Sequence, residues 1–253
     1  MENCWVVQIQ DVTVRHWATR LLFAAAVLLA GCQRPEADTY SLLPGTALES
    51  PIFQRSGTED GPIIYVVAGI HGDEEAGWRA AEQLKNVSLK AGSLYVLSRA
   101  NRYGTENNVR KTKEDRDLNR NFPGDREGCD AEQIAAAIYE DIREKQPSLV
   151  LDLHEAVEAE SGDALGNTLI CQSLDSIGDL VLTILSESEQ GRLGNGAFTL
   201  YGSPPPGSIN RIVTEELNIP VITIETFRGE KLDQRIENQL AMVEFILTDY
   251  GMK

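Results

Sequence analysis

Three apolar runs constrain this chain more than any other feature, because each stops at residues that a buried strand should not carry. "GPIIYVVAGI" (61–70) runs into His71, Gly72, Asp73 and Glu74; "PSLVLDLH" (147–154) ends on His154; "IPVITIE" (219–225) ends on Glu225. Short continuous runs of Val, Ile and Leu are the pattern of strands covered on both faces. "SLYVLSRA" (93–100) and "NTLICQ" (167–172) read as further strands. Helical segments alternate with them. "DEEAGWRAAEQLK" follows the first run, and "DAEQIAAAIYEDIREK" (130–145) puts Ile134, Ile138 and Ile142 on one face, with Asp130 as its expected N-cap. "LDSIGDLVLTILSESEQ" is a third helix, and a closing helix from about Asp233 to Tyr250 carries a stripe of Ile236, Leu240, Val243 and Leu247. The alternation predicts a single α/β domain with a mixed, mostly parallel central sheet and helices on both faces. In such sheets ligands collect at the carboxyl ends of the strands, where His71, His154 and Glu225 all fall. Residues 101–128 show little periodicity, and loops of that length are usually functional.

Charge narrows the class of partner. The 253-residue chain carries a net charge of −16, which argues against nucleic acid. The start of the chain reads separately. "RLLFAAAVLLAGC" (20–32) gives a basic flank, ten apolar residues and a small-residue approach to Cys32. Ten residues suit a secretory signal rather than a membrane span. Its "LAGC" ending resembles a bacterial lipobox. The expected organisation is a lipoprotein signal peptide over 1–31, lipidated Cys32 with a tether over 32–50, and the folded domain over 51–253. The expected location is outside the cytoplasm, lipid-anchored to a bacterial membrane. Cys129 and Cys171 then remain, either as one disulfide or as two separate thiols.

The sequence has three histidines, and only His71 and His154 lie beyond the expected leader. Both stand at strand ends beside carboxylates. Imidazole nitrogen with carboxylate oxygen suits zinc, and three protein ligands leave one position for water. His71 and Glu74, three apart across Gly72, can converge on one ion, with His154 arriving from a parallel strand.

These pieces also have a familiar order. "HGDE" followed by "DLHE" resembles the His-x-x-Glu…His zinc site of the zinc carboxypeptidase superfamily, near its succinylglutamate desuccinylase/aspartoacylase branch. "DLNRNFPG" (117–124), "VRKT" (109–112), "LYGSPPPGSIN" (200–210) and "ITIET" (222–226) are similar to further segments of that superfamily. The resemblance implies one Zn2+ per chain, held by His71, Glu74 and His154. It implies Glu225 as proton shuttle and Arg110 as the donor to the oxyanion, with Arg102 and Arg116 as nearby rivals. Asn119 and Arg120 would bind the substrate carboxylate and Tyr201 would cap it. Asp117 would orient a zinc-bound histidine, with Asp152 as its rival, and Ile209 would shape the side-chain pocket. The expected function is an exported metallocarboxypeptidase acting on peptides, cell-wall peptides included, next to a free carboxylate. The enzyme alternative is an N-acyl-amino-acid deacylase of the desuccinylase/aspartoacylase type. The alternative from another class is a lipoprotein that binds peptide or metal.

Overall fold

A computed structural model describes residues 38–156 and 166–253. The expected signal peptide and Cys32 lie outside the described residues. Ala37–Lys253 form one compact unit.

The apolar runs become the middle of an eight-stranded sheet. Its strands are β1 (Asp38–Leu42), β2 (Ser50–Ser56), β3 (Glu59–Ala68), β4 (Ala91–Leu97), β5 (Leu149–Ala156), β6 (Thr168–Ile170), β7 (Thr199–Tyr201) and β8 (Val221–Phe227), in the order β1-β2-β4-β3-β5-β8-β6-β7. The four central strands β4, β3, β5 and β8 are parallel, and β2 and β6 flank them antiparallel. All eight residues of β5 are buried, which explains why its sequence is a run and not an alternation.

Among the described residues six α-helices flank the sheet: α1 (Glu75–Leu84), α2 (Arg102–Asn107), α3 (Asp130–Lys145), α4 (Gly178–Glu189), α5 (Ile209–Leu217) and α6 (Leu232–Asp249). Strand alternation divides the core between the faces. Leu149, Leu151 and Leu153 pack with Trp78 of α1, Val181 of α4 and Val243 of α6. Val150 and Val221 pack with Ile138 of α3 and Val213 of α5 on the other side.

From β3 the chain passes to β4 on one side and then returns to β5 on the other. The gap between β3 and β5 is therefore a topological switch point, the place where α/β sheets open a crevice. His71 follows β3 and His154 lies on β5, so the connectivity itself brings the two histidines together.

Three expectations need correction. Residues 38–42, expected as tether, form edge strand β1, because Tyr40 reaches the buried Asp141 carboxylate (2.7 Å). Asp130 is not the N-cap of α3 but its first residue; Cys129 caps, its N–H donating to Glu132 (2.9 Å). The buried face of α6 only partly follows the expected stripe: Val243 and Leu247 are inside as expected, joined by Asn238, Gln239, Met242 and Ile246, while Ile236 and Leu240 are half-buried. Of the two alternatives for the cysteines, the structure has two separate thiols, with Cys171 in one core and Cys129 against the other, across the sheet.

Candidate metal centre

Glu74 occupies the N-cap position of α1, one turn after His71. That turn is tight. A Cβ on Gly72 would lie 1.8 Å from the backbone carbon of Gly104, so no other residue fits there without moving α2. Trp78 steadies it by donating its indole N–H to the Gly72 carbonyl (3.3 Å).

The Glu74 carboxylate bridges the two imidazoles. Its Oε1 is 2.8 Å from His71 Nδ1 and its Oε2 is 2.7 Å from His154 Nδ1. The rings stand edge to face, with centroids 4.9 Å apart. All three side chains are buried, and their donor atoms lie within 4.8 Å of one another. Each imidazole turns its other nitrogen to a separate acid: His71 Nε2 is 3.0 Å from Asp117 Oδ1, and His154 Nε2 is 2.9 Å from Asp152 Oδ1. Asp117 and Asp152, expected as rivals, thus face one histidine each: Asp117 hydrogen-bonds His71, and Asp152 stands at ion-pair distance from His154. Carboxylate–imidazole pairs of this kind fix the ring and leave the opposite nitrogen free to ligate.

Electrostatics agree with a cation site. Burial works to lower the pKa of both imidazoles, yet the surrounding acids outweigh it and raise them, His154 well above the usual value. Burial would raise Glu74, but the two imidazoles hold it well below the usual carboxylate range. Four carboxylates, from Glu74, Asp117, Asp152 and Glu225, surround this small volume. The donor set therefore fits zinc: two Nδ1 atoms and one carboxylate, each held from behind.

Glu225 sits beside His154 in the β5–β8 register. Burial, reinforced by Glu74 and Asp152 against the opposing pull of His154 and His71, pushes its pKa up to about 7. Its Oε2 is buried without a hydrogen-bond partner, which is costly for a group without a task. Arg110 is the arginine that reaches the centre, with Nη1 3.0 Å from Glu74 Oε1 and Nη2 3.4 Å from Asp117 Oδ2. Arg102 instead pairs with Glu106 at the surface. Behind Arg110, Asp130 braces the loop by accepting from Thr112 Oγ1 (2.7 Å) and Glu114 N (2.8 Å).

Asn119 and Arg120 lie in a short 3-10 turn that Asp117 caps through Asn119 N (3.0 Å). Arg120 lines an open pocket of about 790 Å³ that runs from the metal cluster toward β7. Asn119 lines it too, although its side-chain oxygen accepts from Ile209 N (3.0 Å), so it also anchors the start of α5. Gly207, at φ +73°, presses against the Arg120 backbone. Tyr201 is exposed on the pocket wall. Ile209 does not shape the pocket: it is fully buried in the core, and its neighbour Asn210 faces the cavity instead.

Three residues that hold the centre together escape a reading by motif. The Glu155 side chain is buried; it accepts from Ala76 N at the start of α1 (3.0 Å) and pairs with Arg235 of α6. Gln239 of α6 donates to the carbonyls of His154 (2.7 Å) and Ile224 (3.2 Å), tying together the two strands that carry the ligand and Glu225. Their one visible signal is polarity where the pattern calls for apolar residues: Glu155 inside a buried strand, and Asn238–Gln239 interrupting the inner face of α6.

A parallel sheet with a His-Glu-His cluster at its switch point, an arginine beside it and a buried carboxylate opposite defines the zinc carboxypeptidase-type fold. Within that class the chain belongs to the succinylglutamate desuccinylase/aspartoacylase family, whose catalytic-domain model matches residues 60–250. No curated protein sequence matches the chain. Among solved structures, it is similar to an aspartoacylase family protein from Mesorhizobium loti (22% identity, 86% of this chain, 68% of that one, TM-score 0.66). It is similar to a succinylglutamate desuccinylase/aspartoacylase from Rhodobacter sphaeroides (19% identity, 85% and 65%, TM-score 0.64). It also resembles the tripeptide-bound cell shape determinant Csd4 of Helicobacter pylori (19% identity, 80% and 55%, TM-score 0.66). The chain thus spans roughly half to two-thirds of the length of these structures. The match covers the catalytic domain of that hydrolase family.

Proposed function

We propose that this protein is a zinc-dependent amide hydrolase that removes an acyl group from the nitrogen of an amino acid whose carboxylate is free. The observation that carries the reading is the convergence of His71, Glu74 and His154, each braced from behind, beside the partnerless buried oxygen of Glu225. Zinc bound by these three residues would act as a Lewis acid and make water acidic near neutral pH. Glu225 takes the proton from water and returns it to the departing nitrogen; a carboxyl group poised near neutrality can do both. Arg110, beside Glu74, donates to the oxygen on which negative charge builds. Arg120 presents its planar fork to the substrate carboxylate. Tyr201 closes over the bound substrate.

Family membership favours an N-acyl amino acid as substrate. The size and openness of the pocket, together with the tripeptide-bound Csd4 relative, support a second reading in which the acyl group is peptidyl. Both substrates need the same bond broken beside the same carboxylate. The "LAGC" ending at Cys32 supports a place outside the cytoplasm.

The test is Glu225→Gln. Zinc content should be unchanged while hydrolysis of N-acyl amino acids and peptides falls by about 100- to 10,000-fold, the usual contribution of a general base. Full activity in that variant would remove Glu225 from the mechanism. Absence of zinc from active wild-type protein would overturn the proposal.

A further inference from the structure

Glu74 is held by the strand opposite it as well as by the imidazoles. Its Oε2, which meets His154 Nδ1, also accepts the backbone N–H of Glu155 (3.0 Å). Residue 155 closes the clasp from its own side, because its carboxylate accepts the N–H of Ala76 in the first turn of α1 (3.0 Å). Glu74 and Glu155 are 81 positions apart, so no local structure fixes this pairing. The clasp also buries a charge. The Glu155 side chain has no exposed surface, and a carboxylate so placed is costly unless a cation answers it.

Two arginines from one stretch of chain brace these groups. Arg235, in the first turn of α6, pairs with Glu155 Oε1 and donates its Nε to the Glu230 carbonyl (3.1 Å). Arg228, directly after β8, reaches the turn between His71 and Glu74. It donates Nη1 to Asp73 Oδ2 (3.3 Å) and Nη2 to the Asp73 carbonyl. The backbone N–H of Arg228 donates to the Ala156 carbonyl (2.9 Å), two residues beyond His154. Gln239, one turn after Arg235, bonds the His154 carbonyl. The stretch 228–239 therefore grips both ligand-bearing segments, 71–76 and 154–156. Neither arginine is part of the pocket's described lining.

Resting on the zinc hydrolase reading above, we infer that Arg228 and Arg235 are positioning residues of the metal centre. They hold the two ligand-bearing segments in register from behind and so set the affinity of the centre for its ion. Ligands that arrive from two distant segments bind one ion well only if their spacing is fixed beforehand. Arg235 has the larger share, because its pair with Glu155 is almost wholly buried, whereas the Arg228–Asp73 pair is about a quarter exposed.

The experiment uses full-length protein stripped of metal, with zinc as the probe and a chromophoric chelator as competitor. Arg235→Met should raise the zinc dissociation constant by about 10- to 100-fold, the usual effect of removing a group that orients ligands. Arg228→Met should raise it by about two- to fivefold, since water screens a partly exposed pair. Arg235→Lys, which keeps the charge beside Glu155, should recover most of the affinity. The sign is diagnostic: loss of a positive charge near the centre would by itself tighten zinc binding. Unchanged or tighter binding in both methionine variants overturns the inference and leaves the hydrolase reading standing. A lower melting temperature of the metal-free variants with no change in zinc affinity also overturns it, by showing a role in the fold alone. In the zinc-loaded variants, kcat should fall while KM for an N-acyl amino acid stays within about twofold; a rise in KM alone would place the arginines at the substrate and overturn the inference. Should Arg235→Met fail to fold, Arg228→Met and Arg235→Lys carry the test. Absence of zinc binding by the unaltered protein overturns the zinc reading, and the inference falls with it.

Discussion

Glu225 and Arg110 show how much a side chain's neighbours decide its chemistry. By composition alone Glu225 is one of 39 acidic residues. Burial on β8, next to Glu74 and Asp152, makes it a carboxyl group poised near neutrality. Arg110 is about two-fifths exposed, yet two of its nitrogens point at the acids that frame the metal site. Removing it as Arg110→Gln should lower kcat by about 100- to 1000-fold with KM and zinc content little changed, the signature of a donor to developing charge. A rise in KM alone would mean that it only helps bind substrate. Cys171 is a second case of environment over identity. Burial pushes its thiol up to about 12, so it is protonated throughout the neutral range and becomes a thiolate only in strong alkali. Site-resolved alkylation of the folded protein at pH 8 should leave Cys171 unmodified, and rapid modification would contradict the burial described above.

At the scale of elements, the sequence was legible where a run is long and apolar. β3, β5 and β8 lie within two residues of their expected places, because strands covered on both faces have nothing but hydrophobic residues to offer. α3 matches its expected span from end to end. β1, β2, β7, α2 and α5 carry no comparable pattern, since edge strands and short helices face water on one side and borrow their stability from neighbours. α6 was legible as a helix and in the burial of Val243 and Leu247, but the apolar stripe cannot reveal that Gln239 also turns inward to bond two strand carbonyls. Gln239→Leu keeps the volume and removes those bonds. It should cost about 1–3 kcal/mol through the carbonyls left without their partner. That corresponds to a fall in melting temperature of roughly 2–4 °C per kcal/mol in a domain of this size. An unchanged melting temperature would show that the amide is a bystander.

For the whole molecule, zinc held by His71, Glu74 and His154 as proposed would be a stability element as much as a chemical one. Ligands arrive from β3 and its turn, from the start of α1 and from β5, so an ion bound there links the two halves of the sheet at their switch point. Binding to the folded state alone adds about 2.7 kcal/mol when free zinc is 100-fold above its dissociation constant. Zinc should therefore raise the melting temperature of chelator-treated protein, and His154→Ala should abolish the rise. A melting temperature indifferent to zinc in the unaltered protein would count against the centre.

What the chain determined by itself was local: which segments are buried strands, and that two histidines and a glutamate end three of them, for burial and periodicity are written in neighbouring residues. Which acid serves which imidazole, and the partnership of Glu155 with Arg235, were decided only by tertiary structure. Those contacts join residues up to eighty or more positions apart, and no local pattern encodes a distance between side chains that meet only when the sheet closes.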